Sequence, residues 1–158
     1  MVIGFCGFAF SGKDTAAEPL IERGFQRIAF ADPLKARAAR ALGISVDEVN
    51  ARKRELRPFL VELGRAGRLL DPDMWVDLAF YDRLITNVVV TDVRYLNEVR
   101  TVLDMDGVVV FINRPGANAA NDEERESIAE ILRHCYLPVI HNDGTIEQLH
   151  RRVLERYA

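Results

Sequence analysis

Long runs of one kind are missing from this chain. No stretch of its 158 residues stays apolar for the length of a membrane span. No basic tail or extended basic run appears either, since 21 Lys and Arg are set against 24 Asp and Glu. The formal net charge of -3 argues against a general nucleic-acid or membrane binder. Small anionic ligands remain, because their capture rests on local arginines. Cysteine is scarce: Cys6 and Cys135 lie far apart without metal spacing, and both read as buried thiols. His134, His141 and His150 fall into no metal, Ser–His–Asp or Cys–His pattern. The apolar start "MVIGFCGFAF" has no positive leader and breaks at Ser11-Gly12-Lys13, so it is not read as a signal peptide. A reducing cytoplasm fits this usage.

What is present alternates. With 49% hydrophobic and 28% charged residues, the chain suits one domain over 1–158 that buries roughly 70% of its unfolded surface. "VIGFC" (Val2 to Cys6) reads as a buried strand, followed by a helix from about Gly12 to Arg23 with a kink or displaced start at Pro19. "QRIAF" (Gln26 to Phe30) is a second strand, and Asp32-Pro33 an N-cap with a first-turn proline opening a helix through Ala41. Leu56, Phe59, Leu60, Leu63, Gly67 and Leu70 share one helical face. Asp71-Pro72 repeats the cap signal, with Trp75, Leu78 and Ala79 inward. Strands follow at "NVVVTD" (Asn87 to Asp92), "GVVVFINRPG" and "LPVIHNDG". Between them come a helix from Tyr95 burying Leu96, Val99 and Leu103, and another ending near His134. Thr145 and Gln148 form a capping box for a last helix with Ile146, Leu149, Val153, Leu154 and Tyr157 inward. The expected fold is α/β: a doubly wound, mainly parallel five-stranded sheet with helices on both faces. Ligands of such sheets sit beyond the carboxyl ends of the strands.

The motif "GFAFSGKDTA" stands at that end of the first strand. Strand, Gly7, four residues, Gly12, Lys13 and helix is the context of a phosphate-binding loop. Its glycines let backbone N–H groups turn toward an anion, and the helix start adds partial positive charge. Lys13 would bridge the outer phosphates. A chance glycine turn is the bland alternative. Asp14 stands where a magnesium-binding hydroxyl is expected. Asp92 has two readings, an acid that orders magnesium or a helix N-cap. Arg94, leaving the same strand end, favours the first. Among Arg52, Lys53, Arg54, Arg57, Arg65 and Arg68 most read as a solvated face, while Arg57, beside Pro58 and the apolar stripe, suits a bidentate clamp on a monophosphate. Arg114 either lies over a donor nucleotide or is structural.

With "SGKDT", "FADPLK", "RPFLVELG", "DPDMWV", "TDVRYLNEV", "NRPG" and "NDGTIEQL" in this order, the chain resembles the bacteriophage deoxynucleoside monophosphate kinases of the P-loop kinase group. Val61 and Arg65 stand where that family often has Gln and Thr. The resemblance implies a P-loop kinase fold with a helical acceptor-binding segment over about 45–84 and a short lid over about 115–127. It implies transfer of the terminal phosphoryl of ATP to a deoxynucleoside monophosphate. Donor contacts would come from Gly7, Ser11, Gly12, Lys13, Asp14, Thr15 and Arg114, and acceptor contacts from Leu34, Lys35, Arg57, Asp73, Trp75 and Arg94. Lys13, Arg57, Asp92 and Arg94 would carry catalysis. Mg2+ would be held near Asp14, Thr15 and Asp92, with Asp14 acting through water. The expected location is the cytoplasm, a host's if the gene is a phage's; nucleic acid and membrane are not expected partners, and a homodimer stays open. Kinases of another small acceptor, such as dephospho-coenzyme A or a phosphorylated alcohol, and a non-catalytic nucleotide-binding module are the alternatives.

Overall fold

A computed structural model describes residues 1–81, 83 and 86–157. Residue 84, where the expected helical segment ends, and residue 158 lie outside the described residues. The chain divides into two compact units, Met1–Ile28 with Leu84–Ala158, and Ala29–Arg83.

The first unit is built on five parallel strands: β1 (Val2–Cys6), β2 (Gln26–Ile28), β3 (Val88–Val93), β4 (Val108–Asn113) and β5 (Val139–His141), in the order β2-β3-β1-β4-β5. Every residue of β1 is buried, as a central strand covered on both faces requires. Ile3 is level with Val89 on one side and Val108 on the other. Helices cover both sides. α1 (Lys13–Ile21) and α8 (Ile146–Tyr157) pack together, while α6 (Leu96–Asp104) packs on β1 and β4 and against α7 (Asp122–His134). Ile3, Phe5, Ala16, Ala17, Leu20, Val89, Val110, Ile112, Leu149 and Val153 form one continuous core.

α1 begins at Lys13 and contains Pro19, so its start is not displaced. β2 is shorter than expected, ending at Ile28. On α6 the inward residues are Val99 and Val102, and Leu103 faces water. On α8 they are Leu149 and Val153, with Ile146 exposed. Ile146 lies on the same helical face as Leu149 and Val153, and Leu103 on that of Val99, but Ile146 is the first residue of α8 and Leu103 the last but one of α6, so each stands at a helix end beyond the core. The capping box of α8 is formed as expected: Thr145 N donates to Gln148 Oε1 (3.0 Å) and Gln148 N to Thr145 Oγ1 (3.3 Å). β5 is a sheet edge whose outward carbonyls are occupied. Arg156 Nη1 donates to Val139 O (2.8 Å) and Arg152 Nη1 to His141 O.

The second unit is helical: α2 (Ala31–Leu42), α3 (Val46–Ala51), α4 (Lys53–Leu70) and α5 (Met74–Phe80). Its core joins Ala38, Ala39, Val49, Leu56 and Leu60, and Phe30 meets Phe80 edge-on. Two expected caps move. Phe30 is the N-cap of α2, so Asp32 lies within the first turn, where its charge still suits the helix dipole. Asp73 is the N-cap of α5, and Asp71 Oδ1 accepts from Asp73 N (3.0 Å) in the turn before it. On α4 the buried residues are Leu56, Leu60, Gly64 and Gly67; Phe59 is half-exposed and Leu70, at the helix end, is 82% exposed.

Candidate phosphate-binding site

The loop after β1 owes its shape to two glycines. Gly7 has φ 145°, and a Cβ there would lie 2.7 Å from Ile112 O. Gly12 has φ 97°, and a Cβ there would lie 2.5 Å from Asn142 Nδ2. No other residue type meets both demands without strain. Phe10, at the loop tip, is a non-glycine residue at φ 61° and is 86% exposed.

Lys13 opens α1 but is buried, and its ammonium turns back to donate to Gly7 O (2.7 Å) and Phe8 O (2.8 Å). Burial lowers the pKa of this amine, and the nearby Arg94 charge lowers it further; Glu124 opposes them. Asp14 is exposed in the first helical turn and Thr15 half-buried. Three side chains from elsewhere grip the loop. Asn142 Nδ2 donates to Ser11 O (2.8 Å), Arg114 Nη1 to Phe10 O (3.3 Å), and Glu124 Oε2 accepts from Ala9 N (3.3 Å). Cys6, buried at the end of β1, has its thiol pushed up to about 12 by burial and is inert.

Asp92 is the penultimate residue of β3 and Arg94 the first residue after it. Below them Glu98, 6% exposed, accepts from Arg94 N (2.6 Å) and Tyr95 N (3.1 Å). Burial, and next the negative charge of Asp92, raise its pKa to about 8. Among the described residues, Ser11 Oγ, Thr91 Oγ1 and Arg94 Nε are buried without a hydrogen-bond partner. Buried polar atoms of this kind are normally completed by a water, an ion or a ligand. Gly7, Ser11, Gly12, Lys13, Asp14, Thr15, Asp92, Arg94 and Arg114, expected at the site from the sequence, all belong to the first unit. Glu98, Glu124 and Asn142, which bond to the backbone of the same loops, were not singled out by the sequence.

For magnesium, no group of three or more His, Cys, Asp or Glu that could hold an ion occurs among the described residues. Asp92 at the end of β3 and the exposed Asp14 on the first turn of α1 offer carboxylates, a sparse set that suits a cation held mostly by phosphates and water rather than by a protein cage. The residues fit that kind of site.

In the helical unit, Leu34 and Lys35 are half-buried on α2, Lys35 lying 3.6 Å from Asp32. Arg57 is exposed on α4 and Asp73 at the start of α5. Trp75 is different. Its indole N–H donates to Gly64 O (3.0 Å), and its ring lies on Gly67, where a Cβ would be 2.5 Å from Cζ2. Trp75 thus joins α5 to α4 and is buried.

No family model matches the chain. It is 31% identical, over 162 residues, to the uncharacterized ORF77 protein of Ictalurid herpesvirus 1, spanning 96% of this chain and 68% of that one. The chain belongs to that protein's family. A provisionally assigned deoxynucleotide monophosphate kinase of Acanthamoeba polyphaga mimivirus is 29% identical over 185 residues, covering 98% of this chain and 94% of the relative. The shikimate kinase of Aquifex aeolicus superposes with a TM-score of 0.51 at 18% identity, covering 99% of this chain and 95% of the enzyme. The fold of this family member is that of the P-loop kinases.

Proposed function

We propose that the protein is an ATP-dependent kinase that phosphorylates a deoxynucleoside monophosphate, yielding the diphosphate and ADP. The observation that carries this reading is the glycine loop with Lys13 buried at its heart, at the carboxyl end of the central strand. The mimivirus relative, alike along nearly the whole chain, supports the acceptor class.

An acceptor phosphate oxygen would attack the γ-phosphorus of ATP. One O–P bond forms, the bond from the γ-phosphorus to its bridging oxygen breaks, and the electron pair leaves with ADP. The acceptor is already anionic, so no general base is needed; alignment and charge stabilisation do the work. Lys13 and the loop amides hold the donor phosphates, with Ser11, Gly12 and Thr15 at the cradle and Arg114 beside its tip. Arg94, with its buried unpaired Nε, meets charge that develops between donor and acceptor. Arg57, Lys35, Leu34 and Asp73 are assigned to the acceptor. Asp92, Asp14 and Thr15 would hold magnesium, which would supply further charge neutralisation.

The test is ATP with each of the four deoxynucleoside monophosphates and their ribonucleotide equivalents, products resolved by chromatography. At least one deoxynucleotide should give its diphosphate with stoichiometric ADP. A Lys13→Ala protein that folds should lose on the order of 10²–10³ in turnover. Absence of any diphosphate, or near-normal turnover of the Lys13 variant, refutes the reading.

A further inference from the structure

We infer that Glu124 is a positioning residue for the phosphate loop, acting with Arg114 to clamp Ala9 and Phe10 from the two ends of one segment. The inference rests on the phosphate-site reading of that loop. Acids are seldom buried without partners, yet Glu124 is 5% exposed. Its helix explains how it gets there. Asn121 caps α7 by accepting from Glu124 N (2.8 Å), which places Glu124 in the first turn with its carboxylate reaching back. One oxygen, Oε2, then gathers two backbone amides, Ala120 N at 2.6 Å and Ala9 N at 3.3 Å. The first closes its own segment; the second belongs to the phosphate loop, more than a hundred residues earlier in the chain.

The other end of the segment does the complementary thing. Arg114 leaves β4 and donates to the carbonyl of Phe10. Two adjacent loop residues are therefore held by opposite charges, an amide by a carboxylate and a carbonyl by a guanidinium. This is where the loop needs holding. Phe10 sits in the left-handed region, unfavourable for a side chain of its size, and its ring, 86% exposed, buries little surface that would compensate. Without external bonds the tip would relax, and the amides that follow it would lose their common direction.

The same turn of α7 also reaches the exit of β3. Tyr95 OH donates to Glu123 Oε1 (2.7 Å), one residue beyond Arg94. Neighbouring glutamates thus tie one helical turn to both loops that would bear on the phosphates. The charge of Glu124 adds a second effect, since it counters the burial of the Lys13 ammonium while no phosphate is bound.

The experiment compares Glu124→Ala, which removes the acceptor, with Glu124→Gln, which keeps an acceptor oxygen and the side-chain size. Amide hydrogen exchange of the nucleotide-free protein reports the clamp itself. Glu124→Ala should speed exchange at residues 8–12 about tenfold or more, and Glu124→Gln should restore wild-type rates. ADP affinity by calorimetry should fall roughly tenfold in the alanine variant, as for loss of one charge-assisted bond, with the donor KM rising in parallel and the acceptor KM unchanged. The glutamine variant should bind ADP at least as well as wild type, because a negative charge beside the phosphates is gone. Should Glu124→Ala not fold, Glu124→Met, which fills the volume without an acceptor, takes its place. Unchanged loop exchange in a folded variant lacking the acceptor, or equal impairment of the alanine and glutamine variants, overturns the clamp. Wild-type protein that binds neither ADP nor ATP instead removes the phosphate-site reading, and the exchange result still decides the clamp by itself.

Discussion

Gly12→Ala is the substitution whose cost the structure specifies most fully. Two terms add. At φ 97° a residue with a Cβ stores strain of about 1–2 kcal/mol. The new methyl would also lie 2.5 Å from Asn142 Nδ2, a distance no carbon holds, so Asn142 must withdraw. In doing so it gives up its 2.8 Å bond to Ser11 O, at a cost of about 1 kcal/mol. The sum is about 2–3 kcal/mol, which for a chain of this length lowers Tm by roughly 4–12 °C. Urea or thermal unfolding measures it. The double-mutant cycle with Asn142→Ala isolates the clash: alone, that variant loses the Ser11 bond, but combined with Gly12→Ala it also makes room for the methyl. The double variant should therefore be more stable than the sum of the single costs by about 1 kcal/mol. Strict additivity, within about 0.3–0.5 kcal/mol, would show that Asn142 and Gly12 do not meet as described.

Other substitutions address the chemistry. Arg57→Ala should cost roughly 10- to 150-fold in acceptor kcat/KM with ATP affinity intact, Arg57→Lys should recover only part, and Arg54→Ala should change little; weakened ATP binding in Arg57→Ala would place it on the donor side instead. Asp14→Asn should raise the magnesium requirement while metal-free nucleotide binds equally or more tightly, whereas a small loss of Tm with an unaltered magnesium titration would make Asp14 a helix-start residue only. Glu98 has a folded pKa of about 8, above its ordinary 4.5, because burial and then Asp92 disfavour its charge. The folded protein therefore binds more protons than the unfolded one between those values. That contribution is complete below pH 4.5 and is lost as pH rises through 8. Unfolding free energies from pH 5 to 9 should fall for wild type relative to Glu98→Gln by on the order of a few kcal/mol, and parallel curves would contradict the buried carboxylate.

The strand, glycine loop and helix from Val2 to Ile21 could be read directly because each step is local: an apolar run, two glycines at a fixed interval, a lysine opening the helix. Asp92 and Arg94 at the end of β3 followed from the same logic. What escaped was long-range. Glu98 and Glu124 look like solvated acids on amphipathic helices, and nothing nearby shows that each bends back under a strand-end loop. Yet a signal existed. Both occupy the third position of a helix, from which a glutamate returns to backbone N–H groups before the first turn, and Asn121 with Glu124 spells a capping pair. Asn142 was read only within the strand segment "LPVIHNDG" and the motif "NDGTIEQL", since its partner Ser11 lies 131 residues away. Trp75 was assigned to a ligand by likeness, while the two glycines of α4 that admit its indole identify a packing partner. The displaced caps at Phe30 and Asp73 show Asp-Pro announcing a helix start but not its first residue.

At the far edge of the sheet, β5 has only three residues, and α8 lays Arg152 and Arg156 along its open side. A sheet edge normally presents unpaired N–H and C=O groups that an extended peptide can adopt as a template. Here the two outward carbonyls are already spoken for by guanidinium groups belonging to the same chain. Growth of the sheet by a neighbouring molecule would have to evict two cations and then bury them beside a new backbone. The helix thus sets the sheet's width as well as covering its face, and on this side it guards the protein in crowded solution against strand-by-strand polymerisation.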